Sequence, residues 1–313
     1  MEGLNTTTIT EFILLGITDL PWLQKIIFVP VLIFYLLDIL GNLTVVFLVF
    51  RDISLHSPMY FLLANLSFVD ICFSSVTVPK MMVGFWKENK ISFEGCIAQM
   101  YFFHFLGCTE GIILASMGYD RYIAICHPLR YNAIMGKMIC VLFVLISWLI
   151  GLTTSLVHAI MTSKVLFCGK YFVNHYFCDV APLLSLSCGD ITLTVTINSY
   201  VSGFTIMFSL GTVVIMYINI IITIMKLKTN TGRRKAFSTC SSHITVVTLY
   251  CGTAFAMYSS PKNTQTMEYD KMIALVYTML IPFLNPVIYS LRNREVMSGL
   301  KRGFQKILIQ ISR

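Results

Sequence analysis

Met117-Gly118-Tyr119-Asp120-Arg121-Tyr122-Ile123-Ala124-Ile125-Cys126-His127-Pro128-Leu129-Arg130-Tyr131 decides the fold of this chain, because it sets an Asp-Arg pair where a long apolar segment ends. An acid next to a base at a membrane edge reads as a latch. That reading needs a membrane, and composition supplies one. Of the 313 residues, 56% are hydrophobic and only 12% charged, with a mean hydropathy of +0.76, far from the profile of a soluble protein of this length.

A bilayer-spanning helix needs about 20 mostly apolar residues. Seven stretches qualify, near 24–50, 58–80, 96–121, 139–161, 196–224, 237–260 and 270–291. The expected fold is therefore an all-α membrane protein, a seven-transmembrane helix bundle forming a single domain over 1–313. An odd number of spans puts the two ends on opposite sides. Fifteen lysines and arginines, against three acids, fall in the loops and tail of one side, whereas the other side carries eight against nine. Because positive loops stay cytoplasmic, residues 1–23 are expected outside and 292–313 inside. The net charge of +8 reflects this asymmetry and three intramembrane acids, so it does not imply a nucleic-acid partner.

No basic start followed by a short apolar core opens the chain, so no cleavable signal is expected. Asn5-Thr6-Thr7 is a glycosylation acceptor on the expected outer side, while Asn42-Leu43-Thr44 and Asn65-Leu66-Ser67 match the pattern inside apolar spans. Of ten cysteines, Cys96, Cys168, Cys178 and Cys188 fall outside, where disulfides persist; four cysteines allow three pairings. The long loop near 162–195 holds three of them, and long loops are usually functional. His175 near Cys178 and Asp179 suggests a metal site, which disulfide-bound sulfurs would forbid.

Four motifs in order give the chain its resemblance: Leu55-His56-Ser57-Pro58-Met59-Tyr60-Phe61, the opening run through Tyr131, Lys235-Ala236-Phe237-Ser238-Thr239-Cys240-Ser241-Ser242-His243, and Pro282-Phe283-Leu284-Asn285-Pro286-Val287-Ile288-Tyr289-Ser290-Leu291-Arg292-Asn293. Over nearly its whole length the chain resembles an odorant (olfactory) receptor of the class II, tetrapod-type branch of the rhodopsin-like G-protein-coupled receptors. The resemblance implies bridges Cys96–Cys178 and Cys168–Cys188, which would pin the long loop over the bundle mouth as a lid.

Polar groups inside spans are costly and mark pathways or relays. Asn42, Asp70 and Asn285 resemble the family's central polar cluster, and Glu110 adds a second acid facing Asp70. Two buried carboxylates do not both ionise without a cation. A sodium-type site between Asp70 and Glu110 is expected, the alternative being a shared proton or a bridging water. No other cofactor is expected. Asp38 lies one turn before Asn42 on the same face, where the family usually carries an uncharged residue.

Met100, Phe103, His104, Gly107, Cys108 and Gly111 follow helical spacing and form one face of span three; Cys251, Ala254, Phe255 and Tyr258 do the same on span six. By resemblance these faces line an odorant pocket in the outer half of the bundle, joined by Val201, Ser202 and Thr205 from span five and by Leu275 and Thr278 from span seven. A wall that is apolar except for His104, Ser202, Tyr258 and Thr278 suits a small, volatile, weakly polar molecule. No acid stands at Phe103, where amine receptors of the wider superfamily carry one. The family usually has Tyr where this chain has Cys251, Ala where it has Gly118, and Ser where it has Met216.

The resemblance also implies the switch. Arg121 would be held by Asp120 and by Ser242 or His243 in the resting state, then freed and supported by Tyr217 and Tyr289 as span six swings outward, with Tyr122, Asn285 and Pro286 in the same machinery. The expected partner is the stimulatory olfactory-type G protein, raising cyclic AMP, at the plasma membrane, with trafficking chaperones assisting surface delivery. After Asn293, Val296, Leu300, Phe304 and Leu308 alternate with Arg294, Lys301, Arg302 and Lys306 as a short amphipathic cytoplasmic helix on membrane lipid; no cysteine there is available for palmitoylation. A transporter would show internal repeats around broken helices, a channel a polar stripe, and an intramembrane enzyme a matched catalytic set; none is found. The nearest rival is a receptor of the same superfamily for a non-odorant metabolite.

Overall fold

Every span predicted from the apolar runs is helical in the computed structural model, which describes residues 10–18, 20–169, 171–226, 229–259 and 264–291. The first three spans are α1 (Pro21–Arg51), α2 (Pro58–Gly84) and α3 (Phe93–Cys126). A short α4 (Tyr131–Ile134) leads to α5 (Lys137–Ser163), the fourth span, and a short α6 (Val180–Leu184) precedes α7 (Thr192–Lys226), the fifth. The sixth is α8 (Asn230–Ser259). The seventh is α9 (Thr264–Leu275), continued through a π-helical turn, Val276–Leu280, into α10 (Ile281–Leu291).

Six of these helices are long and apolar enough to cross a membrane by length and composition. The exception is α8, whose first turns carry Arg233, Arg234 and Lys235 and a run of Ser and Thr. The architecture is a seven-transmembrane bundle. Of the most apolar stretch of each helix, 78% is buried in α3 but only 17% in α1, which makes α3 the axial helix and α1 a peripheral one. On α1, Ile26, Ile33, Leu36, Leu40, Phe47 and Phe50 are exposed, a stripe that water would not tolerate and lipid would.

Local signals explain several helix ends. Pro58 stands in the first turn of α2, where its missing N–H costs nothing. The Ser92 hydroxyl accepts from the Gly95 amide at 3.1 Å and caps α3. Pro286 lies inside α10, so the Pro282 carbonyl one turn earlier has no backbone donor. Asn42 of α1 donates to that carbonyl at 3.1 Å, and Gly41 beside it lets the helices close, since a Cβ there would stand 3.1 Å from the Pro286 ring.

Besides the short α4 and α6, span counting did not foresee a small sheet. β1 (Glu11–Leu14) lies between β2 (Asn89–Ser92), antiparallel, and β3 (Phe172–Val173), parallel. Phe12 of β1 is fully buried and packs edge-on against Phe167, so the segment before α1 is stitched onto the long loop. The expected amphipathic helix after Asn293 and the acceptor Asn5 lie outside the described residues.

Candidate functional site

The long loop is fixed first. Cys96 at the start of α3 is bonded to Cys178, and Cys168 to Cys188, the pairing that the resemblance implied. Gln99 of α3 accepts from the Cys178 amide at 2.9 Å and donates to Val76 O of α2. Since Cys178 is held in the bridge, it leaves no thiolate beside His175 for the metal site. Asp179 caps α6 through the Val180 amide at 2.7 Å and takes His104 Nε2 at 3.0 Å. Burial works against the Asp179 charge, but the His104 hydrogen bond and charge, His175 and the Val180 amide outweigh it and hold the carboxyl below the ordinary aspartate range.

Beneath this anchored loop two cavities adjoin. The inner one, about 60 Å³, is lined by Phe103, His104, Gly107, Cys108, Gly111, Ser202, Thr205 and Ala254 among others. The larger, about 520 Å³, lies between α6, α7 and the end of α5 and reaches Phe255. His104, His158, Ser202 and Ile206 line both. Gly107 and Gly111 leave room for two tyrosines: a Cβ would stand 2.7 Å from the Tyr277 hydroxyl at Gly107 and 2.9 Å from that of Tyr250 at Gly111.

Met100, Val201, Cys251, Leu275 and Thr278 do not line these cavities. Met100 is fully buried with Cys96 and Cys178, one turn too close to the disulfide. The Thr278 hydroxyl pairs with that of Tyr176 at 3.1 Å, tying the seventh span to the loop. Cys251 points into the core, and its neighbour Tyr250 reaches across to donate to Gly107 O, with the Tyr277 hydroxyl donating to Tyr250 at 3.2 Å. The aromatic contact that Cys251 lacks is thus supplied one residue earlier. The Tyr258 side chain lies outside the described residues. His158, Asn198 and Thr154 line the cavities without having been singled out from sequence, although a histidine within an apolar span was a readable signal.

Halfway down the bundle, Asp38, Asn42, Asp70, Glu110 and Asn285 are all buried. Asn42 donates to Asp38 Oδ1 at 2.7 Å, so the unusual acid at 38 orients the amide that serves Pro282. Asn285 donates to Asp70 Oδ2 at 2.9 Å. Asp70 Oδ1, both Glu110 oxygens and Asn285 Oδ1 have no partner at hydrogen-bonding distance.

At the far end of α3, Arg121 stands 3.8 Å from Asp120, a loose pair. Asp120 accepts from the Tyr131 hydroxyl at 2.7 Å, and burial together with that carboxylate raises the Tyr131 phenol. His243 does not hold Arg121, contrary to the expected resting latch. Its ring bonds the Tyr217 hydroxyl at 2.7 Å and Leu114 O at 2.9 Å, and it lies beside Gly118, where an added Cβ would stand 3.4 Å from the imidazole. Tyr122 meets His127 at 3.3 Å, and Tyr289 is buried near this end.

A family model described as olfactory receptor matches residues 31–307. Mouse olfactory receptor 5G9 is 44% identical over 307 residues, covering 98% of both chains. Human olfactory receptor 12D1 is 45% identical over 308 residues, covering 97% of this chain and 96% of its own, and gorilla olfactory receptor 1G1 is 44% identical over 303. The chain belongs to the olfactory receptor family. As an olfactory receptor it is a multi-pass membrane protein and not an enzyme, and its partners are, in general terms, small-molecule odorants and G proteins.

Proposed function

We propose that this receptor binds a small, mostly apolar odorant in the paired cavities and couples that event to a stimulatory, olfactory-type G protein, raising cyclic AMP. The observation that carries the reading is that one axial helix lines the cavities with His104 and bears Asp120-Arg121 at its other end. Arg121 lies seventeen helical steps beyond His104, roughly 25 Å at 1.5 Å per residue. Ligand and G protein then act on a single rigid element, and agonist shifts the population of packings around it.

In this reading the disulfide-bearing end is extracellular, the basic loops are cytoplasmic, the whole chain is one domain at the plasma membrane, and the tail contacts anionic lipid. Trafficking chaperones assist surface delivery. Opening requires α8 to move away from α3, which breaks the His243–Leu114 bond and releases Tyr217 toward Arg121. Arg121→Ala should abolish agonist-driven cyclic AMP while leaving odorant binding intact. Full signalling by that variant would remove the switch from this end of the molecule.

The unpartnered oxygens of Asp70, Glu110 and Asn285 fit a sodium ion as an allosteric ligand, which would stabilise the two carboxylates as anions together. Replacing sodium by a bulky organic cation should shift agonist potency in the wild type and not in Glu110→Gln. An equal response of both proteins would favour a shared proton instead.

A further inference from the structure

The larger cavity contains a hydrogen-bonded series whose end is open. His158 of α5 meets Asn198 Oδ1 of α7 through Nδ1 at 2.8 Å, and Ser202 one turn on meets the other ring nitrogen at 3.3 Å. With the Asn198 amide oxygen turned to the ring, where it can only accept, the tautomer assigned to His158 carries its proton on Nδ1, leaves Nε2 bare and lets the Ser202 hydroxyl donate to it. Each member is satisfied except one: Asn198 Nδ2, shielded from water, has no acceptor. Asn198 is 5% exposed and lines the cavity. An unpaired donor in such a place is costly, and a guest with a lone pair removes the cost once a small rotation of the amide brings Nδ2 to the cavity surface.

We propose that this cavity selects odorants bearing a carbonyl oxygen, such as ketones, aldehydes and esters, through donation from Asn198 Nδ2, with His158 as the positioning residue that fixes the amide. The inference rests on the pocket reading above and narrows its ligand class. Neither cavity is lined by a Lys or Arg, and His104 is already paired with Asp179, so a carboxylate would enter without a free counter-charge and close to that acid. A hydrocarbon would leave the Asn198 donor unpaired. The remaining walls, Val180, Leu184, Ile191, Val195, Ile206 and Met207, take the alkyl chain.

The test is a cyclic AMP assay with medium-chain methyl ketones, alkyl acetates, and the alcohols, alkanes and fatty acids of matching length, with surface staining of each variant. Wild type should prefer ketones and acetates. In Asn198→Leu the ketone-to-alkane potency ratio should fall about ten- to a hundredfold, the loss expected for one buried hydrogen bond; Asn198→Gln should keep part of it. The ratio is read within one variant, so poor expression does not mimic the effect. An unchanged ratio in Asn198→Leu, a wild-type preference for alcohols, alkanes or acids, or silence toward every carbonyl compound would overturn the assignment. Ile206→Trp, which sets an indole where the two cavities adjoin, separates the two readings. If it shifts or silences all responses while Asn198→Leu changes nothing, only the carbonyl inference falls; if every potency is unchanged in it, the pocket itself lies elsewhere.

Discussion

Asp179 illustrates how one side chain ties the loop to the binding region. It caps α6 and holds His104, and its depressed titration means that its stabilising effect is complete above the ordinary aspartate pKa of about 3.9 and fades only as pH falls through a lower, folded-state value. Asp179→Asn should therefore lower the unfolding temperature of solubilised receptor at neutral pH, by an amount equivalent to about 1–3 kcal/mol, and the gap from wild type should close only below about pH 4. A gap that shrinks as pH rises through the ordinary histidine pKa of about 6.5 would assign the effect to the protonated imidazoles instead. At this scale His104 was legible from helical spacing, whereas its partner was not. Seventy-five positions separate the two residues, and no periodicity spans that distance.

Between elements, close packing depends on small residues at crossing points. At Gly151 of α5 a Cβ would lie 2.7 Å from the backbone oxygen of Phe105 in α3. Backbone cannot swing aside as a side chain can, so Gly151→Ala must push the two helices apart. It should reduce surface expression and thermal stability, while Gly203→Ala, where nothing stands within 4 Å of the added carbon, should not. Since alanine is the better helix former, comparable losses in both variants would mean that the loss does not arise from the α3–α5 contact. The apolar runs announced the helices themselves, because a bilayer demands length and hydrophobicity that are visible residue by residue. The short sheet was not announced: β1 has four residues and gains its strand character from partners at 89–92 and 172–173.

Across the molecule, two disulfides, the sheet and the Gln99 and Asp179 contacts make the long loop a fixed roof over the cavities. The two bridges close loops of different size, with sequence separations of 82 and 20. Chain-entropy arguments assign the larger stabilisation to the longer one, within an overall range of about 2–5 kcal/mol. Replacing both Cys96 and Cys178 by Ser should cost more surface expression than replacing Cys168 and Cys188; the reverse order would mean that local loop structure, not the anchor to α3, governs folding.

The sequence by itself determined the membrane class, the seven spans and the family, because hydrophobic length and contiguous motifs are local properties written along the chain. It also marked one face of α3 as a binding surface, of which Phe103, His104, Gly107 and Cys108 line the cavities. Only the tertiary structure decided that Met100 and Thr278 belong to the roof, that Tyr250 takes the place Cys251 leaves, that His243 bonds Tyr217 in place of Arg121, and that His158 and Asn198 complete the wall. Those outcomes turn on the rotation and depth of each helix against its neighbours, which are set by packing between residues 40 to 143 positions apart and leave no periodic trace in any single segment.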